Sequence, residues 1–114
     1  MSNTYSVPDK TLRTLITELY SKAGMPESEA AYHADGLVTA SLRGMDSHGV
    51  LRTSAYLSRI QNGAINVHPH MRFVEAAQAL QVLDADGASG YARLFCGFDA
   101  TVPEGPLRNC VLFR

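Results

Sequence analysis

Apolar residues recur at three- and four-residue spacing through the first half of the chain, and the pattern changes only after Pro69. Leu12, Leu15, Ile16, Leu19 and Ala23 share one face of a helical wheel, with Arg13, Thr17, Glu18 and Lys22 mostly on the other. Pro8-Asp9 supplies a start for this helix and Gly24 a left-handed stop. Pro26 opens a second helix, with Glu27 and Glu29 in the first turn, where acidic groups complement the helix dipole. Its expected buried stripe is Ala30, Ala34, Leu37, Val38 and Ser41, whose small members allow close packing, and Gly44 ends it. After Met45-Asp46-Ser47 the pattern predicts a third helix from about His48 to Asn62. Val50, Leu51, Leu57 and Ile60 would supply its apolar contacts, and Asn62-Gly63 its end.

Beyond Pro69, MRFVEA (71–76) and ALQVLDA (79–85) read as two short strands joined by Ala77-Gln78, a pair lacking the Gly or Asn of a tight hairpin. The tail RLFCGFDATVPEGPLRNCVLFR (93–114) follows neither period, and Pro103 and Pro106 would interrupt a helix. Short irregular structure is expected there. The fold class predicted is mostly α with a small β hairpin, that is α+β.

Composition narrows the functions. The chain has 114 residues, 46% apolar and 18% charged, which suits one small globular domain. A net charge of −1 provides no general basic field for nucleic acid or anionic lipid. The opening MSNTYSVPDK lacks the basic-then-apolar order of a secretory signal, and no apolar run approaches the roughly 20 residues that span a bilayer. A cytoplasmic protein without membrane or nucleic-acid partners is expected. Cys96 and Cys110 fit neither a zinc knuckle nor a redox pair and read as incidental. His68-Pro69-His70 reads as an exposed loop pair rather than a metal site, His33 as a partly exposed packing residue, and Asp84 and Asp86 as turn formers.

The chemically informative stretch is Arg43-Gly44-Met45-Asp46-Ser47-His48-Gly49-Val50-Leu51-Arg52. On a helix beginning near His48, His48 and Arg52 would share a face with Cβ atoms roughly 6 Å apart. Imidazole exchanges a proton near neutral pH, and guanidinium grips a carboxylate as a fork. A 2-oxo or 2-hydroxy acid carries a carboxylate beside the carbon whose oxygen gains or loses a proton, so one helix edge would serve both groups. Ser47 or Asp46 would cap the helix, and Gly49 would let a ligand approach the backbone. Taken alone, a histidine at a helix start is more often a cap or packing residue, and an arginine one turn on is usually solvated.

The run Arg43–Arg52, followed by Tyr56, Asn62-Gly63 and Pro69, resembles the signature of the malate/L-lactate dehydrogenase family. The preceding helix pair and the strand ending in Asp84-x-Asp86-Gly87 match as well, so that residues 9–91 resemble the family's amino-terminal segment. The resemblance implies a three-helix segment of a larger α/β dehydrogenase fold. It also implies an NAD(H)- or NADP(H)-dependent oxidoreductase interconverting 2-hydroxy and 2-oxo acids of the malate, lactate or ureidoglycolate type, homodimeric at full length. By the same resemblance His48 matches the proton donor and acceptor, Ser47 the adjacent hydroxyl, Arg52 the substrate-carboxylate contact and Tyr56 a pocket-lining residue. The family's dinucleotide-binding region has no counterpart here. Asp86-Gly87-Ala88-Ser89-Gly90 lacks the spacing of a phosphate loop and reads as a turn. No residue of the chain is therefore assigned to the cofactor or to a metal, and the segment is expected to be inactive alone. Residues 92–114 depart from the family pattern in the manner of a truncated or frameshifted frame. Two other readings stand beside this one. In a winged-helix-like DNA-binding module, the third helix would present Arg52, Ser54, Arg59 and Gln61 to a groove. In a non-functional gene remnant, no site would operate.

Overall fold

Each of the first two helices follows a proline and closes on a glycine. The computed structural model describes residues 3–77, 80–91 and 110–113. The chain divides into two compact units, Met1–Gln61 and Asn62–Arg114. In the first, helix α1 spans Asp9–Lys22 and helix α2 spans Glu27–Leu42. Neither has a side-chain cap; Pro8 (φ −58°) and Pro26 (φ −54°) precede them. A proline ring fixes φ, and its missing N–H is no loss where helical N–H groups are unpaired anyway.

Gly24 and Gly44 have φ of +105° and +76°. The Gly24 N–H donates to the Ser21 carbonyl and the Met25 N–H to the Tyr20 carbonyl, both at 3.1 Å. Gly44 and Met45 repeat this with Ser41 (3.0 Å) and Ala40 (2.9 Å). These nested bonds are Schellman closures, and their left-handed position favours a residue without Cβ. Both helix ends lie where the sequence puts them.

The core of this unit contains Ile16, Tyr20, Met25, Ala30, Ala34, Leu37, Val38 and Ile60, together with His33. The expected stripe of α1 is rotated: Leu15 and Leu19 are 50% and 38% exposed, whereas Tyr20 is fully buried. A tyrosine carries a large apolar ring behind its hydroxyl, and here that ring lies against His33 of α2, centroids 5.3 Å apart. The buried line is therefore Ile16–Tyr20. Arg13 pairs with Asp35 across the two helices and lies 3.5 Å from Asp9, an exposed arrangement of small energetic weight.

The second unit holds strands β1 (Arg72–Ala77) and β2 (Leu80–Asp84), antiparallel from Arg72↔Asp84 to Ala77↔Leu80 with an irregularity between Phe73 and Glu75. The hairpin is thus formed. Ala77 ends β1 rather than starting the turn, and Gln78 lies outside the described residues. The tail differs from expectation at its end: Cys110–Phe113 forms β3, parallel to β2, giving the order β1-β2-β3. Four apolar residues are too few to display a period of their own. Cys96, Pro103 and Pro106 lie outside the described residues. Among the described residues no helix is long and apolar enough to cross a membrane.

The rotation of α1 gives a direct test. Ile16→Ala should destabilise the chain by about 2–5 kcal/mol, the range for emptying a buried aliphatic site. Leu15→Ala should stay within about 0.5 kcal/mol. Urea unfolding followed by circular dichroism measures both, and equal losses would mean that α1 presents a different face.

Candidate active site

The segment between Gly44 and Thr53 is not the start of a third α-helix. It forms two 3-10 turns, Asp46–His48 and Val50–Arg52, before helix α3 begins at Thr53 and runs to Gln61. Gly49 separates the turns with φ −98° and ψ −150°, an extended residue between two helical ones. His48 and Arg52 therefore do not face one another across a helical turn, and no side-chain cap from Asp46 or Ser47 is made. Arg52 also precedes α3, so a groove-reading face on that helix would consist of Ser54, Arg59 and Gln61 without it. Of the expected contacts from this region Ile60 is buried, while Leu51 is 78% exposed.

Ser47 brings the pair together instead. Its Oγ lies 2.9 Å from His48 Nδ1, and its carbonyl accepts the Arg52 Nε–H at 2.9 Å. All three side chains are exposed. Among the described residues His48 Nε2 and both Nη atoms of Arg52 meet no protein partner. The outer ends of both side chains are thus exposed while their inner ends are held.

Sequence reasoning missed what holds this bend. Ser41, on the last turn of α2, accepts the Val50 N–H on its Oγ at 2.9 Å. A Cβ at Gly49 would overlap that same Oγ and come within 3.1 Å of the Ser41 backbone nitrogen. Helix α2 thus occupies the space a side chain at Gly49 would need, a steric requirement independent of any ligand. The eight-residue separation of Ser41 and Gly49 follows no regular period, so no pattern in the sequence marks it.

Tyr56, on α3, is half-buried; its ring meets the His33 ring edge-on at 6.2 Å, and Arg59 lies over it at 6.0 Å. His33 is 1% exposed between Tyr20 and Tyr56, contrary to the partly exposed position expected. Burial there holds its pKa down at about 4, against an ordinary 6.5, because a charged imidazole would lose its hydration.

In the second unit, Asp86 carries φ +48° at the end of β2, and its N–H donates to Asp84 Oδ1 at 3.2 Å, the turn role expected of both. Its Oδ2 accepts the His70 N–H (3.0 Å) and Asn66 Nδ2–H (3.1 Å), and the Gly87 carbonyl accepts the Asn66 N–H (2.9 Å). His68 and His70 are exposed, and among the described residues no group of three or more potential metal ligands forms. A pyrophosphate needs free N–H groups at a turn or helix start. Here the Ala88 N–H is committed to Ala85, a carboxylate sits at the centre, and Ala88 and Ser89 are buried. The Asp84–Ser89 turn therefore does not offer a pyrophosphate the free N–H groups it needs.

The family profile described as malate/L-lactate dehydrogenase matches residues 7–102, beginning before α1 and taking in the bend and the hairpin. The chain belongs to that family. The match extends to residue 102, so the departure expected from residue 92 onward does not begin there. A malate dehydrogenase of Pyrococcus horikoshii is 38% identical over 88 residues, covering 77% of this chain and 24% of that protein. A ureidoglycolate dehydrogenase (NAD(+)) of Escherichia coli is 34% identical over 93 residues, 82% of this chain and 27% of its own length. The solved malate dehydrogenase of P. horikoshii superimposes with a TM-score of 0.81 at 33% identity, over 85% of this chain and 28% of that one. The chain spans about a quarter of the length of these relatives.

The buried imidazole has a measurable consequence. His33 binds its proton more weakly folded than unfolded, so its contribution to stability is complete above about pH 6.5 and is lost as pH falls toward 4. The full span corresponds to roughly 3 kcal/mol. Urea midpoints measured from pH 7 to pH 4 should fall accordingly, and His33→Phe should flatten that fall. An unchanged slope in His33→Phe would assign the acid sensitivity to carboxylates instead.

Proposed function

We propose that Arg43–Tyr56 is the proton-transfer and carboxylate-binding element of an oxidoreductase interconverting 2-hydroxy and 2-oxo acids, with NAD(H) or NADP(H) as its redox partner. The single observation behind it is the Ser47 knot, which fixes His48 and Arg52 by their inner atoms and leaves Nε2 and the Nη fork exposed. Arg52 takes the substrate carboxylate through two charge-assisted hydrogen bonds. His48 Nε2 then faces the oxygen on the neighbouring carbon. With Ser47 Oγ accepting from Nδ1–H, the neutral ring keeps its lone pair on Nε2 and takes the hydroxyl proton of a 2-hydroxy acid; in the reverse direction the imidazolium returns it. Tyr56, whose ring packs against His33, is the proposed wall of the substrate site.

Removing the C2 hydrogen with its electron pair needs an acceptor, which this reading assigns to a nicotinamide held outside Arg43–Tyr56. That half of the reaction belongs to a dinucleotide-binding part, and a homodimer is the proposed assembly. Names of relatives support the substrate class: malate, ureidoglycolate and L-sulfolactate are all 2-hydroxy acids.

The test is a family dehydrogenase whose corresponding segment is replaced by residues 43–56. His48→Ala should lower turnover by about 10²–10⁴-fold, the usual contribution of a general acid–base group. Arg52→Ala should raise KM for the acid, with turnover also falling through misorientation, and Arg52→Lys should recover only part. Cofactor affinity should not change in either variant. Near-normal turnover of His48→Ala across the pH range would remove the proton-transfer role. The 114-residue chain alone should leave NADH and NADPH fluorescence unchanged; saturable quenching would show a dinucleotide site within it.

A further inference from the structure

Ser41 holds both ends of the segment that carries the candidate site. Its carbonyl accepts the Gly44 N–H at 3.0 Å, and its hydroxyl accepts the Val50 N–H at 2.9 Å. Residues 44–50, with Ser47 and His48 among them, therefore leave from and return to one residue of α2. Inside this loop the bonds pass from turn to turn. The His48 N–H donates to Met45 (3.0 Å), the Gly49 N–H to Asp46 (3.1 Å) and the Arg52 N–H to Gly49 (2.9 Å). Gly49 thus ends the turn bearing His48, begins the turn bearing Arg52, and is pressed against Ser41 by its lack of a Cβ.

We infer that Ser41, with Gly49 as its counterpart, is the positioning residue that sets His48 and Arg52 relative to one another. The inference rests on the reading of those two as the site. Two short 3-10 turns have little stability of their own, so their mutual angle is fixed by whatever grips the residue between them. That grip is the Val50–Ser41 hydrogen bond and the Gly49–Ser41 contact. Releasing it frees Arg52 from the Ser47 carbonyl and Ser47 from the imidazole without touching either reactive group. Ser41 itself meets no substrate.

Nitrogen-15 NMR of the 114-residue chain tests this. In Ser41→Ala the Val50 amide should exchange with solvent about tenfold faster, in keeping with the loss of one hydrogen bond. The Arg52 Nε–H signal should move to its free-arginine position, and the His48 ring nitrogens should lose their Ser47-bonded pattern. Amides of Tyr20 and Leu37 should keep their protection. Gly49→Ala, whose methyl displaces the same hydroxyl, should give the same signature, and the double variant should be less than additive. Ser41→Thr, which keeps the acceptor, should retain the native signals. If Ser41→Ala exposes the Val50 amide but leaves the Arg52 Nε–H and His48 signals in place, Ser41 is a helix-end cap and the inference is overturned. Oxalate added to the unsubstituted chain probes the site separately. Silence of both Arg52 and His48 to it would count against the site reading, whatever the Ser41 variants show.

Discussion

The absence of one side chain governs this site. Helix α2 closes at Gly44, and the Ser41 hydroxyl, lying where a Gly49 side chain would be, then accepts the Val50 N–H and ties the returning chain to the helix end. The chain makes an extended step at Gly49, with a short turn on either side. That step divides the serine–histidine turn from the arginine turn, and it leaves Ser47 as the atom set through which the two communicate.

Much of the helical unit was legible because its signals are local. A proline before and a glycine after each of α1 and α2 mark their ends through backbone geometry alone, and the structure places both closures there. The α1 face was read less well, since tyrosine's hydroxyl disguises a ring that buries completely while Leu15 remains half in water. Helix three was misplaced at its start for a different reason. Apolar spacing from Val50 onward is compatible with a helix, whereas the extended Gly49 and the Val50–Ser41 hydrogen bond are tertiary features that no local pattern displays.

The site divides in the same way. Residue types and order pointed to His48, Arg52 and Ser47, and family membership covers the whole of that stretch. Their geometry was not legible: an expected i,i+4 pair proves to be a pair bridged through a serine carbonyl and hydroxyl. His33 was underestimated because its burial depends on two tyrosines from different helices, one before it and one after it in the chain. The strand Cys110–Phe113 escaped notice because parallel pairing to β2 is a non-local event that four residues cannot announce.

The Gly49 contact also bears on how sequence variation in this segment should be interpreted. A position that tolerates no side chain shows the same intolerance in a mutational survey as a catalytic one. Gly49 would rank beside the proposed proton-transfer residue His48 in such a survey although it has no side chain to contribute. Ser41, by contrast, is constrained by one hydroxyl lone pair and would look permissive to any residue that restores an acceptor at that place. Intolerance to substitution within Arg43–Arg52 can thus arise from steric exclusion by helix α2 as well as from the chemistry proposed for His48 and Arg52.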